Sequence, residues 1–177
     1  MATLTRVFEF DAAHRVMHEK MKCYNLHGHR FRVEVTFSFM EVKKLGYAID
    51  FKEIKRIAGT WIDEHLDHAC ILNPKDTAII QLCKENGLRT YIMGFGVDKD
   101  INPSAEALVL ELSCVLSELF TSEKLITLEN VRLYETPSCW VDLAGTHLNE
   151  MPQTFRANLH RWREVMGEVN YDSREDA

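Results

Sequence analysis

The chain has 177 residues, 46% hydrophobic and 27% charged, with a formal net charge of −6. That length and apolar content suit one domain with a sizeable core and exclude a disordered chain. The negative charge excludes a general nucleic-acid binder, which needs a basic footprint to displace counterions from phosphates. No stretch offers the roughly 18 to 20 uncharged apolar residues of a membrane span, and Arg6, Glu9 and Asp11 interrupt any apolar leader, so a cytoplasmic protein is expected.

The first segment, "TLTRVFEFDAAH", carries a partial period of two that puts Phe8, Phe10, Ala12 and His14 on one face. A polar connector from His18 to Asn25 follows. The next segment, "HGHRFRVEVTFSF", alternates cleanly: His27, His29, Phe31, Val33, Val35, Phe37 and Phe39 against a mostly polar opposite face, which predicts a long half-buried strand. Asp50 then offers an N-cap with Glu53 three residues on, and Phe51, Ile54, Ala58, Trp61, Ile62 and His65 recur at helical spacing. That pattern breaks near "LDHACILNP". Between residues 75 and 101, "DTAIIQLCKENG" reads as a short helix ending at Gly87 and "TYIMGFGV" as a strand or an ordered loop. A second long helix begins at "NPSAEA", with Leu108, Val109, Leu112, Val115, Leu116 and Leu119 on its apolar face. Two further strands, "LITLENVRLYET" and "CWVDLAG", meet at a tight turn at Pro137 and Ser138. A mixed-polarity helix is expected over about 151–171.

The expected fold class is therefore α+β: a four-stranded antiparallel sheet with two helices on one face, in the order ββααββ. Such a small sheet exposes two edges, and oligomerisation that extends it is expected. The five cysteines, Cys23, Cys70, Cys83, Cys114 and Cys139, include no C-x-x-C pair, so reduced thiols are the default. Only Cys23 has histidines beside it.

His27 and His29 lie two apart on one strand and so share a face, and His14 ends the corresponding face of the neighbouring strand. Three imidazoles converging on a buried patch need partners that hydrophobes cannot supply, and a metal meets that need. Zinc held by three nitrogens with a fourth position open is the catalytic arrangement. Cys23 could close the shell as a fourth ligand, giving a structural site; otherwise it is a candidate base or nucleophile. Asp67 and His68 are either surface residues at a helix end or, with Cys23, the parts of a proton relay. As neighbours just past a helix, they are not expected to bond side chain to side chain. His65 reads as packing. Glu135 continues the face of Val131 and Leu133; it is either a solvated strand end or a carboxylate that could accept two hydrogen bonds from a planar amino-imino edge such as that of a pterin or guanine. Between Arg15 and Arg32, Arg15, Lys20, Lys22, Arg30 and Arg32 face a single acid, Glu19, a local basic patch that suits a small anionic ligand.

Taken together, "FDAAHR", "CYNLHGHRF", "AIDFKEIK", "LDHACILN", "NPSAEAL" and "YETPSCW" resemble, in order, the 6-pyruvoyl-tetrahydropterin synthase and 6-carboxytetrahydropterin synthase family. The resemblance implies a tunnelling fold (T-fold) over a core of about 3–146, assembled as a hexamer of two trimers with active sites between subunits. It further implies zinc on His14, His27 and His29, Cys23 as the catalytic thiol, Asp67 and His68 as its partner pair, and Glu135 as the pterin anchor. The short Cys-x-x-x-His-Gly-His spacing looks like the bacterial 6-carboxytetrahydropterin synthases of the queuosine pathway. By that similarity the substrate is 7,8-dihydroneopterin triphosphate, converted to 6-carboxytetrahydropterin with release of acetaldehyde and triphosphate. The 6-pyruvoyl product, or a non-catalytic pterin- or purine-binding protein, are the alternatives. Two features depart from the family pattern: an insertion at about 75–101 and the tail after Gly145, in which His147 is a surface histidine or an approach to a neighbouring site.

Overall fold

The computed structural model describes residues 1–96 and 100–145. The expected C-terminal helix over 151–171 and His147 lie outside the described residues. Strands β1 (Ala2–His14) and β2 (His27–Phe39) form one long antiparallel hairpin, in register from Ala2↔Phe39 to His14↔His27. Its alternation has the physical cause the sequence suggests. Phe10, Ala12, Phe31, Val33, Val35 and Phe37 are buried on one face, while Glu9, Asp11, Arg30, Arg32 and Glu34 occupy the other. β5 (Ile126–Thr136) pairs antiparallel with β2, and β6 (Cys139–Ala144) with β5.

The buried face is covered by helices. α1 (Phe51–Ile54) runs through a π-helical stretch (Lys55–Gly59) into α2 (Thr60–His65), and α4 (Ala105–Leu119) packs beside them. Asp50 caps α1 through Lys52 N–H, as its position suggested, and Ser104 caps α4 through Ala107 N–H. Gly59 lets the helix approach the sheet, because a Cβ there would lie 3.3 Å from the Phe8 ring. The core is contiguous, joining Phe31, Val33 and Val35 to Ile54, Trp61, Leu112 and Val115.

The α+β class holds, but the sheet is not four-stranded and not purely antiparallel. Two three-residue strands, β3 (Cys70–Leu72) and β4 (Thr90–Ile92), extend it to the order β4-β3-β1-β2-β5-β6, both additions being parallel. α3 (Thr77–Glu85) joins them as the crossover that a parallel pair requires. Strands this short display no period of two, so "ACILN" offered no strand pattern, and their pairing depends on docking beside His14. β3 meets β1 only at Ala13 and His14, leaving the outer edge of Ala2–Ala12 without a strand among the described residues.

Candidate metal and catalytic site

The hairpin places His14 directly opposite His27 and pairs His29 with Ala12, so all three imidazoles close the apolar face at one end of the sheet. Their ring centroids are 4.6, 5.2 and 4.9 Å apart, and one nitrogen from each lies within 4.8 Å of the others. Hydrogen bonds settle which nitrogens these are. His14 Nδ1 is 2.7 Å from the Pro103 carbonyl and His27 Nδ1 is 2.7 Å from the Asn25 carbonyl. A carbonyl can only accept, so both Nδ1 atoms carry the proton and both Nε2 atoms present lone pairs. His14 Nε2 is buried without a hydrogen-bond partner. The nearest acid, Glu135 Oε1, is 3.6 Å away, beyond hydrogen-bonding range. A buried lone pair left bare beside two more imidazoles fits a cation held among them, with backbone carbonyls fixing the tautomers from outside. Burial pushes the His14 imidazole below its ordinary pKa; the Pro103 bond and Glu135 oppose this, and His27 and His29 add to it. His14 therefore favours its neutral, metal-binding form.

Glu135 reaches this rim through a local irregularity. Tyr134 pairs with Trp140 and Thr136 with Cys139, so Glu135 is the extra residue of a β-bulge. Bulges re-aim side chains, and this one leaves Glu135 part-exposed beside His14 instead of continuing the ladder. The face-sharing of Val131, Leu133 and Glu135 was legible in the sequence; the bulge was not. Beside it, between the end of β2 and the β5–β6 turn, opens a cleft of about 420 Å³ lined by His29, Arg30, Arg32, Tyr134, Glu135 and neighbours.

Asp67 and His68 contradict one expectation. Their side chains do bond to each other, His68 Nδ1 donating to Asp67 Oδ2 at 2.7 Å. The reason is backbone conformation: His68 has φ +57°, a left-handed residue that folds its side chain back over Asp67. The main chain holds the pair rigidly. His68 N–H donates to the Asp11 carbonyl (2.6 Å), and Asp11 N–H donates to Asp67 Oδ1 (2.9 Å). Burial would raise the Asp67 carboxyl, but the Asp11 N–H and His68 outweigh it and keep it below the usual aspartate range. The His68 side chain is 76% exposed. His65, by contrast, stacks on Trp61 at 4.7 Å, as packing predicts.

Cys23 sits exposed on a 3₁₀ turn, Lys22–Tyr24, and is not one of the clustered metal-type ligands. Within one chain the structure brings the three histidines and Glu135 together, and bonds Asp67–His68 to the main chain of Asp11 on β1, three residues before His14. No hydrogen bond among the described residues links the Cys23 thiol to either group. Of the five cations near the site, Arg15 is bound to Asp76, Arg30 to Asp11 and Arg32 to Glu34, which leaves Lys20 and Lys22 exposed and outside every ion pair among the described residues. Sequence reasoning missed Pro103, Asn25 and Asp11, which act through their main chains. A carbonyl or amide leaves no mark in residue type, although "NPSAEAL" did flag the loop that supplies Pro103.

The chain matches the pattern of the family "6-pyruvoyl tetrahydropterin synthase" over residues 3–146. It is 37% identical over 145 residues to a 6-carboxy-5,6,7,8-tetrahydropterin synthase of Rickettsia bellii, covering 81% of this chain and all of that protein. A Haemophilus influenzae protein of the same name is 26% identical over 148 residues, covering 80% and 98%. Among solved structures, the Caenorhabditis elegans 6-pyruvoyl tetrahydropterin synthase superimposes with a TM-score of 0.55 at 22% identity, covering 81% of this chain and 94% of that one. An uncharacterized protein of Wolinella succinogenes superimposes with a TM-score of 0.60 at 19% identity, covering 81% and 97%. With a family match across most of its length and this histidine cluster at the end of its long hairpin, the chain belongs to the 6-pyruvoyl tetrahydropterin synthase family.

Proposed function

We propose that this protein is a zinc-dependent 6-carboxytetrahydropterin synthase of the queuosine pathway, acting on 7,8-dihydroneopterin triphosphate with release of acetaldehyde and triphosphate. The observation that carries the reading is the bare, buried Nε2 of His14 beside His27 and His29. When bound there, zinc supplies Lewis acidity toward the oxygens of the substrate side chain. The chain supplies the rest. Cys23 takes a proton from the side-chain carbons, and His68, oriented by Asp67, moves protons at the opposite side. Glu135 accepts two hydrogen bonds from the pterin amino-imino edge in the cleft beside His29. Lys20 and Lys22, in no ion pair among the described residues and on the same connector as Cys23, meet the triphosphate.

Within one chain no hydrogen bond among the described residues joins the Cys23 thiol to the Asp67–His68 pair, which is consistent with active sites completed between subunits. The free outer edge of β1 and the edge strand β6 suit closure into a larger barrel, in a cytoplasmic hexamer of two trimers. Among the described residues no helix is long and apolar enough to cross a membrane. The deciding experiment is mass-spectrometric product identification after incubation with dihydroneopterin triphosphate. The reading requires 6-carboxytetrahydropterin and acetaldehyde, a 6-pyruvoyl product would replace it, and stoichiometric binding without turnover would refute catalysis. Cys23→Ala is expected to keep its zinc and lose activity. A Cys23→Ala protein that loses zinc would mean the thiol is a ligand.

A further inference from the structure

The connector that carries Cys23 has little of its own to hold it. Residues 20–26 are all exposed, and the single 3₁₀ turn there buries none of its residues. A segment of this kind opens locally at low cost unless it is tied to something rigid. The ties come from the start of α3 and the loop before α4. Asp76, only 1% exposed at the start of α3, receives both Nε and an Nη of Arg15, the second at 2.6 Å. The Arg15 guanidinium in turn lies over the Tyr24 ring, 5.2 Å from its centroid, and Tyr24 adjoins Cys23. Val16 N–H donates to the Cys23 carbonyl at 2.8 Å. Asn102 bonds both the N–H and the carbonyl of Met17, each at 2.9 Å, and is itself gripped by the fully buried Asn73. The next residue, Pro103, accepts from His14. One loop thus touches a metal-type histidine and the thiol connector at adjacent positions.

We infer that Asp76 and the Asn102–Pro103 loop act as a clamp on the Cys23 connector, with Asp76 and Arg15 as a positioning pair that acts on the thiol through Tyr24. A buried ion pair is poor evidence of added stability, because desolvation offsets most of its Coulomb gain. What a bidentate guanidinium–carboxylate pair does fix is geometry, since both N–H bonds form in only one orientation. Here that orientation aligns the chain running from His14 to Tyr24. The inference rests on the reading of Cys23 as the working thiol and extends it to the residues that hold its connector.

The test is Asp76→Asn, which keeps an oxygen able to cap α3 but removes the charge that binds Arg15. Hydrogen exchange at the Val16 and Met17 amides is expected to rise about tenfold, with amides of the β1–β2 ladder unchanged. In the same protein kcat is expected to fall about tenfold or more, with KM nearly constant and zinc content unaltered. Tyr24→Leu, at an exposed site that leaves the core untouched, should reproduce both effects; Tyr24→Phe, which retains the ring face, should restore them. Exchange unchanged at Val16 and Met17, or raised equally throughout the protein, would overturn the clamp. If the wild-type protein fails to turn over the substrate, the functional reading falls, and the exchange result still decides the clamp by itself.

Discussion

Asp67 offers the sharpest separation of a structural role from a chemical one, because its two oxygens do different things. Oδ1 accepts from the Asp11 amide and Oδ2 from His68 Nδ1. Asp67→Ala removes both bonds. The imidazole is largely exposed, so that bond is worth only about 0.5–1 kcal/mol. The part-buried Asp11 N–H left without a partner costs about 1–2 kcal/mol more. A total near 2 kcal/mol corresponds to a melting temperature lower by roughly 4–8 °C in a domain of this size. Asp67→Asn behaves differently. Its amide oxygen still serves the Asp11 N–H, so melting should shift by only about 1–2 °C. Its NH₂ now faces His68 Nδ1, which must give up its proton and present a lone pair, moving the proton to Nε2. A relay histidine in the wrong tautomer costs about 10²–10⁴ in kcat. Differential scanning fluorimetry, zinc analysis and turnover of dihydroneopterin triphosphate should therefore show an alanine variant that is both less stable and inactive, and an asparagine variant that is stable, zinc-replete and inactive. An asparagine variant within about threefold of wild-type kcat would refute the role assigned to the pair.

Phe31→Ala should cost about 3–5 kcal/mol: the ring is fully buried, stacks on Phe10 at 5.1 Å and meets His14 and His29 edge-on, so weaker zinc binding in titrations against a chelator should accompany the lower denaturation midpoint. Gly145→Ala should lower the melting temperature strongly, because a Cβ there would sit 1.9 Å from the Leu128 carbonyl oxygen and force the end of β6 away from β5; an unchanged melt would contradict that close approach. Acid titration of the metal-free protein should show two losses of stability. The His14 pKa is lowered in the fold, so the unfolded state takes up its proton first, and stability present above about pH 6.5 declines as pH falls toward the folded value. Asp67, Asp142 and Glu53 also have lowered pKa values, through different partners, and their contribution is complete above about pH 4 and lost below it. Denaturant midpoints measured across pH 3 to 8 are the check, and a curve flat from 7 to 5 would refute the buried neutral His14.

The long elements were legible because their pattern outlasts local noise. Thirteen residues of β2 alternate with scarcely a break, and that alternation alone puts His27 and His29 on the core face with Phe31. Fifteen residues of α4 carry an apolar stripe behind a serine cap. Cys23, Asp67, His68 and Glu135 were candidates with open alternatives until read as members of an ordered set of motifs, since no single one has a spacing that distinguishes it from a surface residue. β3 was not legible and β4 only as one of two readings of "TYIMGFGV", because three residues cannot display a period. The buried polar residues Asn73, Asp76 and Glu111 broke apolar or loop patterns without indicating what they bind.

Residue type and period thus determine the hairpin, the helix that covers it and the three imidazoles that end its apolar face. They do so because side-chain direction along a strand follows from position alone. Tertiary structure decided what makes those groups specific. The proton on His14 is placed by a carbonyl 89 residues away, Glu135 is turned by a bulge, and His68 folds onto Asp67 by a positive φ. These are set by main-chain atoms and by close approach between distant segments, and main-chain atoms are the same in every residue, so only the folded chain distinguishes them.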